Sequence, residues 1–297
     1  MKTVVAGATG FIGRALCESL AQAGHEVVAI ARRSMGGPRP FKTVFWDGAA
    51  DGDWTQALDG ADAVVNLCGA SVASRWTESR KRVLMESRIL TTRAIVEAVA
   101  AARKRPEAFV NASAAGYYGD AADADCTEES PKGTGFLAGL CAAWEAEASH
   151  AARLGVRTVL LRMGVVLAAD GGALPMMSLP FWLRVGGPLG SGRQWIPWIT
   201  RDDLVRAAAF VLHSRLSGPV NAAGPCPSTN RDFSKAIGRA LERPCWLRTP
   251  GIVLRLALGE MADMLLTGQK AVPAKLLEAG FRFEHADVDA ALKGIFR

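Results

Sequence analysis

The first half of the chain alternates short, continuous apolar runs with longer segments of helical periodicity. In the first of these segments, Ile12, Leu16 and Leu20 recur on one helical face. Helices are predicted over 11–24, 78–103 and 136–153, and buried strands over KTVVA (2–6), HEVVAIA (25–31), TVFWD (43–47), DAVVNLCG (62–69), EAFVNAS (107–113) and VRTVLLR (156–162). Apolar strands that alternate with helices are typical of a parallel sheet covered on both faces. The pattern therefore predicts a doubly wound α/β fold.

The regular alternation of strands and helices ends after Arg162, where glycine- and proline-rich loops such as RVGGPLGSGRQWIP interrupt short helices. We therefore predict a larger domain over residues 1–165 and a smaller, substrate-shaping C-terminal region over 166–297. A further helical segment and the strand GPVNAAG are expected to return residues 199–222 to the main sheet.

The composition indicates a soluble globular protein. Of the 297 residues, 49% are hydrophobic, which suffices for the core of one large domain or two modest ones. No apolar run approaches the ~18 residues that a membrane span needs. The N-terminal MKTVVAGATG also reaches glycine too soon for a signal peptide. We expect a cytoplasmic protein without a membrane partner.

The cysteines and the charge exclude further classes of protein. None of the six cysteines forms a C-x-x-C pair, so we expect reduced thiols and no metal site. The net charge is +6, but the basic residues are scattered, which indicates a solvated surface and no nucleic-acid partner. A net positive charge also suits a phosphorylated cofactor.

The segment GATGFIG indicates a nucleotide-binding turn. Its glycines have the spacing G-x-x-G-x-x-G, directly after the first predicted strand and at the start of the first helix. Glycine permits a tight turn and the close approach of a pyrophosphate, while the helix N-terminus offers unpaired N–H groups and a favourable dipole. The predicted cofactor-binding residues of this turn are Gly7, Thr9, Gly10, Phe11, Ile12 and Gly13.

The end of the second predicted strand distinguishes NAD from NADP. An NAD site places an acidic residue about 20 residues past the glycines, where it holds the ribose 2′-hydroxyl. Here the sequence AIARRS has Arg32 and Arg33 at this point and no acid. Guanidinium groups pair well with a 2′-phosphate, so NADP is the predicted cofactor. The alternative is that two surface arginines simply end a strand.

Together these features resemble the extended short-chain dehydrogenase/reductases, the group of sugar-nucleotide epimerases and dehydratases. The likeness covers nearly the whole chain and includes NLCGA (66–70), SAAGYYGD (113–120), GSGRQWIPWITRDDL (190–204) and GPVNAAG (218–224). It implies a Rossmann fold with a second, smaller C-terminal substrate domain. It also implies an adenine contact from Asp47 and cofactor contacts from Leu67, Cys68 and Gly69.

A narrower likeness rests on SRWT, GYYGD, C-x-x-W-E and LLTGQKAVPAKLLEAGFRF. Together these segments resemble a widespread, little characterised epimerase-like oxidoreductase branch with its own C-terminal extension. The resemblance places that extension from about residue 247 onwards.

The third predicted helix lacks the catalytic pair that the resemblance implies. In the broader family, a tyrosine acts as general acid/base and a lysine four residues later lowers the tyrosine pKa. This chain has two tyrosines, Tyr117 and Tyr118, and neither has a lysine at that spacing. Alignment on Glu145 puts Leu137 in the tyrosine position and Cys141 in the lysine position. A shift by one residue does not restore the pair.

Three other residues are candidates for catalysis. Ser113 takes the position of the family's catalytic serine if one residue is inserted before the tyrosines, whereas Ala114 takes it otherwise. Tyr117 and Tyr118 follow the fifth strand, at the sheet edge where α/β proteins bind ligands. Either tyrosine could serve as proton donor, and the alternative is that both pack against the loop.

Further residues are candidates for binding. Arg88, on the long helix, is expected to meet a cofactor phosphate, and Cys141 to line the nicotinamide pocket or to pack in the core. Arg193 and Trp195, in the substrate loop, are expected to bind the substrate by bidentate contacts and stacking, or to pack the loop. Glu128 is expected to lie in a solvated loop.

The sequence therefore predicts an NADP-dependent oxidoreductase or epimerase that works without the usual tyrosine–lysine pair. Its substrate would be a small carbonyl or hydroxyl compound, with an anionic group as one option. The alternative is a non-catalytic sensor that binds NADP(H), and a nucleic-acid binder is a weak third option. The sequence leaves the substrate and the oligomeric state open.

Overall fold

The structure, a computed structural model, describes residues 1–33, 36–48 and 52–297. Its strands are β1 Lys2–Ala6, β2 Glu26–Ala31, β3 Lys42–Phe45, β4 Ala63–Asn66, β5 Ala108–Ala114, β6 Asp125–Cys126, β7 Arg157–Met163, β8 Val165–Ala168, β9 Gly171–Gly172, β10 Trp195–Ile196, β11 Trp198–Thr200, β12 Gly218–Ala222, β13 Ser228–Thr229 and β14 Lys270–Ala271. Its α-helices are α1 Phe11–Gln22, α2 Glu78–Ala101, α3 Phe136–Ala148, α4 His150–Arg153, α5 Leu174–Trp182, α6 Arg201–His213, α7 Asn230–Leu241, α8 Gly251–Leu258, α9 Asp263–Leu266, α10 Ala274–Glu278 and α11 Val288–Phe296. Short 3-10 helices cover Asp53–Ala57, Ala115–Tyr118 and Gly259–Ala262.

Seven parallel strands form the central sheet, in the order β12-β7-β5-β4-β1-β2-β3. From β1 the chain adds β2 and β3 on one side and then crosses to add β4, β5 and β7 on the other. This reversal creates a crevice at the carboxyl ends of β1 and β4, where open α/β sheets bind ligands. The predicted doubly wound fold is confirmed, and all six strands predicted in the first half belong to this sheet.

The central strands bury both of their faces, which explains their continuous apolar sequences. In β1, Val5 packs with Leu16 of α1 on one side of the sheet. Val4 and Ala6 pack on the other side, in the core that contains Ile95 of α2. These five residues expose at most 1% of their surface. Burial on two faces favours runs of apolar residues over an alternation, and the polar residues in these strands are buried with partners, as Asn66 is with Asn111.

The C-terminal region has its own core and is joined by hydrogen bonds to β6 and α6. Helices α5, α7 and α11 surround Phe181, Phe233 and Leu292. The chain then returns, because β14 pairs with β6 and the N–H groups of Glu284 and His285 donate to the Asp203 carboxylate on α6, both at 2.9 Å. These hydrogen bonds join the C-terminal region to β6 and to α6, which packs on the central sheet. Among the described residues, no helix is both long and apolar enough to cross a membrane.

The helix predicted over 136–153 is divided in the structure. α3 ends at Ala148 and α4 begins at His150. Between them, Ser149 donates both its backbone N–H, at 2.9 Å, and its Oγ, at 2.6 Å, to the carbonyl of Glu145. A serine hydroxyl that bonds the carbonyl four residues back competes with the helical ladder and bends it. The division into two helices follows from this local hydrogen bond. The periodicity of apolar residues, on which the helix prediction rests, carries no information about such a bond.

Candidate cofactor and active site

The predicted nucleotide turn lies between β1 and α1, and its glycines leave space that side chains would otherwise fill. Gly7 has φ +80°, and a Cβ there would lie 2.8 Å from the carbonyl carbon of Leu67, at the end of β4. A Cβ on Gly13 would lie 2.3 Å from the Gly7 carbonyl oxygen. Gly10 is exposed at the start of α1, and no side chain of the described residues caps the helix there. The free N–H groups of the first helical turn are therefore directed at the crevice, where an anion is stabilised.

The other residues of the turn differ in what they can offer a ligand. Thr9 is exposed and Ile12 is half-buried. The Phe11 ring instead packs under the β8–β9 hairpin, since a Cβ on Gly171 would lie 2.6 Å from its Cδ2. Arg201 covers the same ring, with its Cζ 5.1 Å from the centroid. At Phe11 it is therefore the backbone that faces the crevice.

Arg32 and Arg33 follow directly after β2 and are exposed. Within residues 1–33, 36–48 and 52–297, neither forms an ion pair with a carboxylate. Arg32 lies near the half-buried Cys68, whose pKa is raised to about 12 by desolvation while the charge of Arg32 opposes the rise. Asp47 lies two residues beyond β3 and is exposed. The two arginines thus stand beside the ends of β2 and β4 as available cations.

Arg88 lies on α2, against the backbone that follows β4. A Cβ on Gly69 would lie 3.1 Å from the Arg88 Cζ, and the guanidinium is 5.1 Å from the Trp144 ring centroid. It donates to the carbonyl of Leu84 at 3.1 Å. Burial lowers the pKa of Arg88, and no carboxylate of the described residues pairs with it. A half-buried arginine without an acidic partner is suited to an anionic ligand.

Ser113 belongs to a buried ionic network at the carboxyl ends of β5 and β7. Its Oγ donates to Oε1 of Glu145 at 2.6 Å. Arg162 donates two hydrogen bonds to the same carboxylate, from Nε to Oε1 and from Nη2 to Oε2, both at 2.8 Å. The side chains of Arg162 and Glu145 expose only 3% and 8%. Burial opposes the charge on Arg162, but the contacts with Glu145 more than offset it, so the pKa of Arg162 is raised.

Tyr118 continues this network toward β12. Its hydroxyl accepts from Nη1 of Arg162 at 3.0 Å and donates to Oδ1 of Asn221 at 2.7 Å. Burial raises the pKa of Tyr118 to about 12. The N–H of Asn221 donates in turn to Oε1 of Glu128 at 3.0 Å. Glu128 is 5% exposed, so the expectation of a solvated loop is wrong at this residue.

Tyr117 is the candidate with a free hydroxyl. Its half-buried ring stacks on Arg162, whose Cζ lies 3.5 Å from the centroid, and meets the Tyr118 ring edge-on at 5.6 Å. No hydrogen-bond partner for its hydroxyl occurs among the described residues. Ser113 and Tyr118 are held by the network, whereas Tyr117 can still offer its proton to a ligand. The catalytic roles of all three remain predictions.

Leu137 and Cys141, which occupy the positions of the missing tyrosine and lysine, pack against Gly116. A Cβ on Gly116 would lie 3.3 Å from the Cβ of Leu137 and 4.0 Å from the Sγ of Cys141. Burial, with a smaller contribution from the charge of Glu145, raises the pKa of Cys141 to about 11. The thiol is therefore protonated at neutral pH and is not a nucleophile. Nothing on this face of α3 replaces the lysine.

The predicted substrate residues lie in the C-terminal region. Trp195 is half-buried, and its Nε1 donates to Asp123 at 2.9 Å. Arg193 is exposed and lines a cleft of about 360 Å³ together with Arg231 and Lys235 of α7. Arg231 and Lys235 were not among the residues predicted from the sequence. Their only signal is that they follow Thr229, which accepts from the N–H of Asp232 and caps α7.

Arg162, Asn221 and the buried Glu128 were also missed. The one indication of this network in the sequence was Arg162 itself, an arginine near the end of an otherwise apolar strand. A charge that must be buried with its strand needs a paired carboxylate. The partner is Glu145 on α3, and its hydrogen bond to Ser113 has no counterpart in the sequence pattern.

Comparisons with known proteins agree with this geometry. Residues 3–223 match the NAD dependent epimerase/dehydratase family, and residues 249–295 match a domain of unknown function, DUF1731. An epimerase family protein of Mycobacterium leprae, ML0860, is 43% identical over 291 residues, which cover 97% of this chain and 93% of that protein. The Bos taurus epimerase family protein SDR39U1 is 40% identical over 305 residues, covering 99% of each chain.

Among solved structures, the human epimerase family protein SDR39U1, crystallised with NADPH, superposes with a TM-score of 0.89. It is 36% identical, over 100% of this chain and 99% of that one. The resemblance inferred from the sequence motifs is thereby confirmed, and the fold is one that binds NAD(P). The comparisons leave the predicted domain boundaries and the roles of individual site residues as predictions.

Proposed function

Because the chain belongs to the NAD dependent epimerase/dehydratase family, we propose that it is an NADP-dependent oxidoreductase or epimerase. Its substrate is a small carbonyl or hydroxyl compound, and the chemistry proceeds without a tyrosine–lysine pair. The observation that carries the cofactor choice is the pair of exposed arginines, Arg32 and Arg33, at the end of β2, where an NAD site has an acid.

The residues of the crevice fit a dinucleotide. The glycines of the turn leave space that a single Cβ would fill, and the uncapped N-terminus of α1 receives a pyrophosphate. Arg32 and Arg33 hold the 2′-phosphate, and Arg88 offers a third cation from α2, beside Gly69. When bound, the cofactor supplies or accepts hydride at its nicotinamide.

The proton is assigned to Tyr117. Ser113 and Tyr118 each donate their single hydroxyl proton within the buried network, to Glu145 and Asn221. Arg162 lies against the Tyr117 ring and holds a fixed positive charge beside it. The buried network thus positions Tyr117 instead of supplying the proton itself.

A second candidate is a sensor that binds NADP(H) without turnover. One observation favours it: the α3 positions that carry the catalytic pair in the family are apolar and packed against Gly116. A sensor and an enzyme share the cofactor turn. They differ in whether Tyr117 contributes to a reaction, so turnover separates the two.

The cofactor assignment is tested by titrating NADPH and NADH into the unmodified protein and into Arg32→Asp/Arg33→Ala. Loss of a charge-assisted pair costs ~1.5–3 kcal/mol, so the unmodified protein should prefer NADPH by roughly 10- to 150-fold. The double variant should lose that preference and keep its affinity for NADH. Arg103→Ala, at an exposed arginine paired with Asp59, is the control and should change neither affinity. Equal affinities for the two cofactors in the unmodified protein would refute the assignment.

A further inference from the structure

Exposed apolar side chains are concentrated on two helices of the C-terminal region, α5 and α8, and on the residues next to them. Of the fifteen large hydrophobic residues that are exposed in the described chain, ten lie in residues 176–185 and 246–256. α8 has no buried residue, and Leu256 on it is 74% exposed. On α5, Met176 and Leu179 are 66% and 56% exposed. Exposed apolar surface of this kind is characteristic of a binding site.

The two helices meet at one end. There the N–H groups of Trp246 and Leu247 donate to the carbonyl of Gly186 at 3.1 and 3.2 Å. α5 ends shortly before this contact, and α8 begins shortly after it. At its other end, α5 begins beside the nucleotide turn, because a Cβ on Gly171, in the hairpin that precedes α5, would lie 2.6 Å from the Phe11 ring.

The other end of α8 lies beside the residues that follow β4. A Cβ on Gly259, directly after α8, would lie 3.3 Å from Nε of Arg75, and Glu260 forms an ion pair with Lys81 of α2. α5 therefore begins at the turn that follows β1, and α8 ends at the loop that follows β4, so the two helices frame the crevice between these strand ends. We refer to their exposed apolar side chains as the apolar groove: Met176, Leu179, Trp182, Ile252, Val253 and Leu256.

An apolar cluster connects the apolar groove with the active site. Leu258, the last residue of α8, and Met264 of α9 pack in the same cluster as Leu137, which occupies the tyrosine position on α3. All three side chains are half-buried. The surface is therefore hydrocarbon from α8 to the position on α3 that lies next to Gly116.

The charged residues near the apolar groove contact the chain itself. Residues 176–185 and 246–256 contain three arginines and no lysine, aspartate or glutamate. Arg255 pairs with Asp263 at 3.1 Å, and Nε of Arg248 donates to the carbonyl of Gly190. The groove therefore has little to offer the phosphates or hydroxyls of a sugar nucleotide, and burial of hydrocarbon is what it favours.

The C-terminal extension also covers part of the substrate loop. Nε2 of Gln194 donates to the carbonyl of Leu265 at 2.7 Å, and a Cβ on Gly268 would collide with the backbone of Trp195. The ammonium group of Lys270 lies 5.1 Å from the centroid of the Trp195 ring. A nucleotide at this loop would therefore have to compete with the extension.

On the basis of the proposed function, we propose that the apolar groove binds the hydrocarbon part of the substrate. The substrate is then a carbonyl or hydroxyl compound that carries an alkyl chain or an apolar ring and no nucleotide. Its polar end lies in the crevice, beside Gly116 and Tyr117, and its hydrocarbon part extends past Leu137 toward α5 and α8.

The test is the binding of a series of methyl ketones, from butanone to decanone, to the full-length chain saturated with NADP⁺. Oxidised cofactor transfers no hydride to a ketone, so calorimetric titration measures binding without turnover. Each methylene group that enters the apolar groove should lower the ketone dissociation constant roughly fourfold. Uridine diphosphate, the probe for a nucleotide substrate, should not displace decanone.

Leu179→Asn and Leu256→Asn each place an amide in the apolar groove, one on α5 and one on α8. Each should raise the dissociation constant of decanone about fivefold or more and leave that of butanone unchanged. The matched control is Leu90→Asn, at a leucine on α2 that is 51% exposed, and it should change neither value. NADPH binding by each variant reports that it has folded.

Three results would overturn the proposal: affinities that do not rise with chain length, a rise that persists in both groove variants, or displacement of decanone by uridine diphosphate. Binding to anionic phospholipid vesicles in place of the ketones, lost in Leu256→Asn, would assign the apolar groove to a membrane surface. The proposed function is measured separately. NADPH consumption that is independent of chain length keeps the enzyme and removes the groove, whereas chain-length-dependent binding without consumption keeps the groove and removes the enzyme.

Discussion

The two ends of the crevice are built in different ways. At the turn between β1 and α1, the site consists of backbone, since Gly7 and Gly13 remove the side chains that would fill it. At the edge formed by β5, β7 and β12, the site consists of side chains, which are joined in a buried network. We expect the first end to bind the cofactor through its backbone. We expect the second end to determine what reaction follows, because it is here that the chain lacks the tyrosine–lysine pair implied by the family resemblance.

The largest expected effect comes from breaking the network. Arg162→Met leaves Glu145 as an uncompensated buried charge, so the free energy of unfolding should fall by ~3–5 kcal/mol. Urea denaturation at pH 7 measures it. Arg103→Met, which breaks an exposed pair with Asp59, is the control and should lower the free energy of unfolding far less, because solvent screens this pair.

The double variant Arg162→Met/Glu145→Leu distinguishes charge from packing. Removing both charges together should restore most of the lost stability, because no buried charge is then left unpaired. If Arg162→Met costs no more than the exposed control, the network does not hold this edge together.

The next effect concerns the turn. Gly13→Ala puts a Cβ 2.3 Å from the Gly7 carbonyl oxygen, so helix and turn must separate. Overpacking of this kind costs about 1–3 kcal/mol, and the stabilisation by NADPH in thermal melts should disappear with it. Gly139→Ala, at a helical glycine whose Cβ would meet nothing within 4 Å, is the control and should be neutral or stabilising. An unchanged NADPH-dependent shift in Gly13→Ala would contradict the turn assignment.

The two ends also differ in how far they could be predicted. The turn consists of seven consecutive residues, so its glycine spacing and its place between a strand and a helix could be predicted from the sequence. The network joins residues 17, 32 and 103 positions apart along the chain. Each of its members is ordinary in its local context: Arg162 ends a strand, and Asn221 lies in another. Only the folded sheet brings them together, which is why Glu128 was misassigned.

A smaller effect is expected from the pH dependence at α3. Burial raises the pKa of Cys141 from its ordinary value near 9 to about 11, so the folded protein keeps a proton that the unfolded chain releases. This contribution to stability is complete below pH 9 and is lost as the pH rises to 11. At pH 10 the free energy of unfolding should be about 1 kcal/mol lower, relative to pH 7, because of this group.

Urea denaturation at pH 7 and pH 10 checks this prediction. Cys141→Ala should remove that part of the decline, whereas Cys226→Ala, which removes an exposed thiol, serves as the control. Equal declines in Cys141→Ala and the unmodified protein would show that the thiol at the lysine position is not desolvated.

The most direct test of the account is the turnover of NADPH by Tyr117→Phe. The unmodified protein is first assayed for NADPH consumption with a panel of small aldehydes, ketones and α-keto acids. With any carbonyl that is reduced, Tyr117→Phe should lower kcat by ~10²–10⁴-fold and leave the NADPH dissociation constant unchanged, because the tyrosine donates the proton and the turn binds the cofactor. Unchanged turnover in Tyr117→Phe would contradict this division between the two ends. Tight NADPH binding without consumption by the unmodified protein would replace the enzyme with a sensor.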